Sequence, residues 1–358
     1  MKGPAIFLIQ YVDDKAPFNT LPSIAKWAAD LGYMGIQLPV DERLIDIDRA
    51  ANDLEYCKAL KAELADIGVE ITELSSHLVG QLIAVHPAYD MLYDDFAPAH
   101  VRGKPDERRA WAHETMLKAA KASHNLGLTA HATFSGALAW PYWYPWPQRP
   151  AKLVDTAFAE LAKRWLPILD AFDKAGVDVC YEIMPGEDLF DGYTFDKFRV
   201  ATGNHPRVNM ILDASHLILQ QMDYLSYIDH YHQYIKIFHV KDAEYHSDGK
   251  QGVYGGYASW RDRVGTVRAI GDGQVDFRSI FTKLYRYGYQ GWAIFESECA
   301  FKDMQVSAAE AAVRITDLMV PMAAKAFDDF AGSKEAHTSG HDDRSDPKMA
   351  KLLGFGQT

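Results

Sequence analysis

The chain has 358 residues, 48% of them apolar and 24% charged, enough to bury the core of one large α/β domain or two smaller ones. With 37 basic against 49 acidic residues the net charge is −12, which argues against nucleic acid or an anionic membrane surface as a partner. Cys57, Cys180 and Cys299 sit singly in apolar-patterned stretches, which excludes a disulfide framework and a Cys-x-x-Cys zinc site.

The first residues lack the layout of a signal peptide, and no window approaches roughly 18 uninterrupted apolar residues, so the expectation is a cytoplasmic protein. In chain order, one unit recurs: an amphipathic helix, a glycine, a short β-rich apolar run, then polar residues. After a first run at residues 5–12, the glycine-marked copies fall at 31–38, 67–74, 126–131, 175–182 and 287–296, with two runs lacking that glycine at 208–212 and 234–240. Glycine past a last helical turn takes the left-handed conformation that closes the helix and lets a strand begin. Helical spacing is plain in Leu54, Cys57, Leu60, Leu64 and Ile67, and again in Phe158, Leu161, Trp165, Ile168 and Phe172. Eight alternating strands and helices predict an α/β fold of the (β/α)8 TIM-barrel type over residues 1–329. An open doubly wound sheet is the competitor, but no Gly-x-Gly-x-x-Gly or Gly-x-x-x-x-Gly-Lys-Ser/Thr motif supports it.

Three stretches break the rhythm: residues 80–104, 134–150 and 242–274, each read as an extended loop after a strand. The second holds Trp140, Tyr142, Trp143, Tyr144 and Trp146 among prolines. Those rings either stack on a sugar or a neighbouring subunit, or pack as a lid on their own barrel. From 330 to 358 the sequence turns Ser/Gly/His/Asp/Lys-rich and loses its periodicity, and is read as a flexible or partner-docking tail.

A parallel barrel gathers the carboxyl ends of its strands on one face. Glu182, Asp213, His239 and Glu296 each directly follow an apolar run. Three carboxylates and one imidazole brought together repel unless a cation sits among them, and an oxygen-rich set of this kind suits Mn²⁺, Mg²⁺ or Co²⁺. An ion with about six positions would keep about two open for neighbouring oxygens of a carbohydrate. His77, after the third run, either binds a substrate hydroxyl or serves the core. His131, after the fourth, is either an additional base or a structural histidine.

The succession Glu182, Asp213-Ala214-Ser215-His216, His239-Val240-Lys241-Asp242, Gly271-Asp272-Gly273 and Glu296 resembles the xylose isomerase-like TIM-barrel superfamily of sugar isomerases and epimerases. The resemblance spans roughly residues 5–325, with specific motifs only in the second half. It implies a divalent ion, Mn²⁺ first, held by Glu182, Asp213, His239 and Glu296, substrate contact by His216, and proton transfer beside a carbonyl by Glu182 and Glu296. Lys241 and Arg268 are the basic residues placed to meet an anionic group. Asp242 is expected to orient His239 or a substrate hydroxyl, and Glu298 to be passed over as a ligand in favour of Glu296. The long loop 242–274 and the aromatic loop around Trp143 are similar to a branch acting on oxidised glycosides, including the larger subunits of bacterial C-glycoside deglycosidases. That likeness implies a 3-keto glycoside, a lyase or deglycosidase reaction with His131 as base, and a small partner subunit. A homo-oligomer is the other expected assembly, and the substrate is a small carbohydrate or glycoside. An abasic-site nuclease of the same fold and a barrel that binds sugar without chemistry are the remaining readings. The first conflicts with the ligand set and net charge, and the second predicts no metal.

Overall fold

The computed structural model describes residues 1–320 together with Leu353 and Gly354; the rest of the expected tail lies outside the described residues. The strands in chain order are β1 (Lys2–Phe7), β2 (Gly35–Pro39), β3 (Glu70–Ser75), β4 (Ala130–Thr133), β5 (Asp178–Glu182), β6 (Val208–Asp213), β7 (Ile235–Val240), β8 (Asp242–Tyr245), β9 (Gly265–Arg268) and β10 (Trp292–Phe295). All except β8 and β9 pair in parallel and close into a barrel in the order β1-β10-β7-β6-β5-β4-β3-β2. The fold is therefore the (β/α)8 barrel, and the open-sheet alternative falls.

The main helices are α1 (Leu21–Asp30), α2 (Leu54–Ile67), α3 (Pro105–Asn125), α4 (Leu153–Ala175), α5 (Gly192–Ala201), α6 (Tyr224–Tyr231), α7 (Phe277–Arg286) and α8 (Met304–Leu318). Their ends follow local chemistry. The Asp53 carboxylate accepts from the amides of Glu55 and Tyr56 at the start of α2, and Gly68, at φ 101°, closes that helix in the left-handed region. On α4 the whole predicted stripe, Phe158, Leu161, Trp165, Ile168 and Phe172, is buried. On α2 only Cys57, Leu60 and Leu64 are buried, and Leu54 stands 54% exposed, so that stripe is narrower than its spacing suggested. No helix among the described residues is long and apolar enough to cross a membrane.

Two apolar layers result. One fills the space between strands and helices; the other lies inside the barrel and consists of Ala5, Phe7, Ala132, Cys180, Ile211, Ile237 and Ile294. Side chains alternate along a strand, so the next inward positions after Cys180, Ile211, Ile237 and Ile294 are Glu182, Asp213, His239 and Glu296. The pleat alone thus lifts four polar groups onto the rim of an apolar plug.

The expected first run, 5–12, is corrected. The strand is Lys2–Phe7, and the chain leaves the barrel in a short 3-10 turn at Ile9–Tyr11 once Phe7 has paired with Gln37. The loop 242–274 is also more than a loop: β8 and β9 form an antiparallel ribbon, with Asp242 opposite Arg268 and Tyr245 opposite Gly265.

Candidate metal centre and active site

One ligand atom from each of Glu182, Asp213, His239 and Glu296 can be chosen so that all four lie within 4.8 Å of one another. All four residues are buried. Glu182 Oε2, Asp213 Oδ2 and His239 Nδ1 have no hydrogen-bond partner of acceptable geometry, although each lies within ion-pair distance of an opposite charge. Buried polar atoms are normally satisfied, so three orphans converging on one point fit a divalent cation, and three oxygens with one nitrogen suit Mn²⁺, Mg²⁺ or Co²⁺.

Lys241 and two histidines crowd the same point. Lys241 Nζ lies 2.9 Å from Asp213 Oδ2, 2.9 Å from Glu296 Oε2, 3.1 Å from Glu298 Oε2 and 3.4 Å from Glu182 Oε1. His216 Nε2 is 3.0 Å from Glu182 Oε1, and His77 Nε2 is 3.0 Å from Glu182 Oε2, with Ser75 Oγ holding the other ring nitrogen of His77 at 2.7 Å. Burial works against ionising Glu182, yet Lys241, His216 and His77 overcome it and hold the carboxyl well below the usual range. Burial likewise opposes Glu296, and Lys241 and His239 bring it down to about 2. Asp213, buried beside the same ammonium but also beside two other carboxylates, stays above the ordinary value. Lys241 alone does not balance three carboxylates, and against its burial Glu296, Glu182 and Asp213 raise His239 to about 9, so without an ion the cluster draws protons instead. The deficit of positive charge is what a divalent ion would fill.

The remaining predicted residues are placed as follows. His131 faces the helices rather than the barrel axis, its ring 5.0 Å from that of Phe172, with Ser123 Oγ at 3.2 Å from Nδ1 and Ser76 Oγ at 2.9 Å from Nε2. Burial pushes it down to about 3, so it is a neutral ring with both nitrogens engaged, and the geometry favours the structural histidine over the base. The Asp242 carboxylate accepts from the backbone amides of Gly271, Gly273, Val275 and its neighbour Ala243. It fastens the Gly-x-Gly turn instead of orienting His239, and a Cβ at Gly273 would collide with Asp242 Oδ1. Arg268 spends its charge on Glu244 across the ribbon, with Nη1 2.5 Å from Oε1, and lies over the Phe301 ring.

Trp143 packs 4.7 Å from Tyr254 and 6.2 Å from Trp140, which joins the loop after β4 to the β8–β9 ribbon. The base of that loop is gripped by the next strand's loop. Asp188 accepts from the amides of Leu138, Ala139 and Trp140 at 2.7 to 2.8 Å, and Glu187 accepts from the Gly136 amide and the Ser135 hydroxyl.

Three residues at the centre escaped the sequence reading. The Gln10 amide donates to Glu296 Oε1 at 2.9 Å, and Gln37 and Glu73 stand inside the barrel below His239. The only signal was parity: Gln37 and Glu73 hold the inward positions of β2 and β3, as the ligands do on their strands.

Comparison with known proteins places this architecture. The profile described as a xylose isomerase-like TIM barrel matches residues 25–315. Among curated proteins, the inosose dehydratase of Lacticaseibacillus casei is 27% identical over 135 residues, 36% of this chain and 43% of that protein. The inosose dehydratase of Geobacillus kaustophilus is 23% identical over 299 residues, 81% of this chain and 85% of that protein. The chain spans less than half the length of the first curated relatives it matches. Among solved structures, the 3-keto-D-glucoside 4-epimerase of E. coli superposes with a TM-score of 0.57 at 14% identity, over 85% of this chain and 97% of that one, which speaks for the fold.

Proposed function

Since this chain belongs to the xylose isomerase-like TIM-barrel family, we propose that it is a divalent-metal-dependent enzyme that removes a proton from the carbon beside a carbonyl of a sugar or keto-sugar, as an isomerase or epimerase. The observation that carries this reading is the convergence of Glu182, Asp213, His239 and Glu296 at the carboxyl ends of four strands. When bound there, a divalent ion supplies Lewis-acid polarisation of the substrate carbonyl. The chain's own groups supply the rest. Glu182, kept ionised by Lys241 and by its hydrogen bonds to His216 and His77, takes the proton at one of its carboxylate oxygens. His216 and His77 hold those oxygens in place and bind hydroxyls of the sugar. Glu296, aligned by the Gln10 amide, handles the second proton on the opposite side. Lys241 anchors a substrate oxygen at the mouth.

A second reading shares the first step. If the carbanionic carbon lies next to a leaving group, the same base drives elimination, as in a dehydratase or a 3-keto glycoside deglycosidase. The inosose dehydratase relatives favour it, as does the aromatic surface formed by Trp143 and Tyr254. We propose Mn²⁺ as the ion to test first, with Mg²⁺ and Co²⁺ next, and a second copy or a small subunit as the cover for the exposed rings of Tyr144 and Trp146.

The experiment is solvent exchange. Purified protein with each ion is incubated in deuterated water with ketoses, inososes and 3-keto glucosides, and deuterium at carbon is followed by NMR. Incorporation into unchanged skeletons supports epimerisation; loss of water or of an aglycone supports elimination. No incorporation with any substrate and any of the three ions would sink both.

A further inference from the structure

Below the candidate metal centre the barrel interior holds a polar chain that the reaction above does not use. Gln37 on β2, Glu73 on β3 and His239 on β7 are all buried. The Gln37 amide nitrogen donates to Glu73 Oε1 at 2.7 Å, and the Gln37 amide meets His239 Nε2 with both of its atoms, the oxygen at 3.2 Å and the nitrogen at 3.1 Å. Donor and acceptor roles along this chain are constrained. Gln37 gives one N–H to Glu73, and its carbonyl oxygen and amide nitrogen are both within reach of His239, so the protonation of the ring decides which of them it meets. A ring that carries its proton on Nε2 meets the carbonyl oxygen, which only accepts. The other ring nitrogen, Nδ1, faces the candidate ligands, 3.0 Å from Glu296 Oε2 and 3.9 Å from Glu182 Oε2, so a cation there would take its lone pair and leave the ring proton on Nε2.

A space-filling role would be served better by an apolar pair. Burial of Glu73 is costly, as its carboxyl, raised to about 7, attests, and the neighbouring inward positions on other strands are Cys180, Ile211, Ile237 and Ile294. A ligand imidazole commonly gives its second N–H to a carboxylate or carbonyl, which fixes tautomer and ring plane. Here the amide of Gln37 stands between the two and relays the carboxylate to His239.

We propose that Gln37 and Glu73 are positioning residues that hold His239 with its proton on Nε2 and its Nδ1 lone pair aimed at the cation site. The proposal rests on the metal reading for its consequence but not for its geometry, and the test separates the two. Mn²⁺ is titrated into wild type, Gln37→Met, Gln37→Asn and Glu73→Gln, with free Mn²⁺ read by electron paramagnetic resonance. In parallel, the Nε2–H resonance of His239 is followed in ¹⁵N-histidine-labelled, metal-free protein. Gln37→Met and Gln37→Asn should each weaken Mn²⁺ binding by about 10- to 100-fold and shift the Nε2–H resonance while exposing it to exchange. Glu73→Gln, which keeps an acceptor of the same shape, should restore most of both readouts. Gln37→Asn keeps a polar side chain of reduced reach and serves if the methionine variant does not fold. Folded Gln37 variants with wild-type affinity and an unmoved Nε2–H resonance would overturn the proposal. If wild type itself ignores Mn²⁺, the metal reading fails, and an Nε2–H resonance unaltered by the Gln37 changes still counts against the positioning role.

Discussion

Two adjacent levels of the barrel interior are built on opposite principles. The lower level, Cys180, Ile211, Ile237 and Ile294, is apolar, and the level one pleat above it is Glu182, Asp213, His239 and Glu296. The strands are the same and the step is two residues. Apolar burial at the lower level stabilises the closed sheet at roughly 25 cal/mol per Å² removed from water. At the upper level, buried like charges cost stability, and Lys241 offsets only part of that cost. Chemistry sits where the fold gives up stability, directly on top of an apolar layer that supplies it. A rigid floor fixes the spacing of the groups above.

The largest expected effect separates the levels outright. Glu182→Gln keeps shape and removes the base, so deuterium exchange should fall by at least about 10³-fold, while the melting temperature moves by a few degrees only. Retained exchange in that variant would break the comparison. Ile294→Ala does the reverse and should cost about 2 to 5 kcal/mol of unfolding free energy by denaturant titration. A value near zero there would mean that the lower level carries no weight.

A third test concerns a buried carboxyl with no cation nearby. Glu187 is raised to about 7, first by burial and then by Asp188, against the amide of Gly136. Its folded pKa lies above the unfolded one, so the folded state holds the extra proton, and stability is greatest below about 4.5 and falls as pH rises towards 7. Glu187→Gln should flatten that slope by on the order of 1 to 3 kcal/mol between those limits, and a slope unchanged from wild type would contradict the assignment. At the mouth, Trp143→Ala should raise KM for an aromatic glycoside by about 3- to 10-fold and leave kcat nearly alone, in keeping with the worth of one aromatic pair. Smallest of all, Lys26→Ala on the exposed face of α1 removes an i,i+4 pair with Asp30 and should change stability by less than about 0.5 kcal/mol.

The alternation of strands and helices was legible because most of the helices that lead into a barrel strand end beside a glycine such as Gly68 or Gly176, with the strand starting within a few residues. The four candidate ligands were legible for a related reason: each closes an apolar run, and the closure of the barrel brings those ends together. Other features were hidden by the same architecture. A strand buried on both faces shows no polar alternation, so nothing in Ile36-Gln37-Leu38 or Thr72-Glu73-Leu74 announces which side chain faces the axis. His131 illustrates the converse, since one position further along β4 the inward residue is Ala132. Asp242 follows His239 by three residues and looked available to it, but the chain turns away into the ribbon and the carboxylate meets backbone amides instead.

The grip of Asp188 and Glu187 on residues 135–140 has a consequence for how such a barrel changes its diet. Apart from the Ser135 hydroxyl, both acids hold peptide groups, which every sequence possesses. The tip beyond, residues 141–150, is therefore a cassette: its aromatic rings can be exchanged for others without unfastening the clasp, and ancestry can rewrite what the mouth admits while the machinery beneath is inherited unaltered.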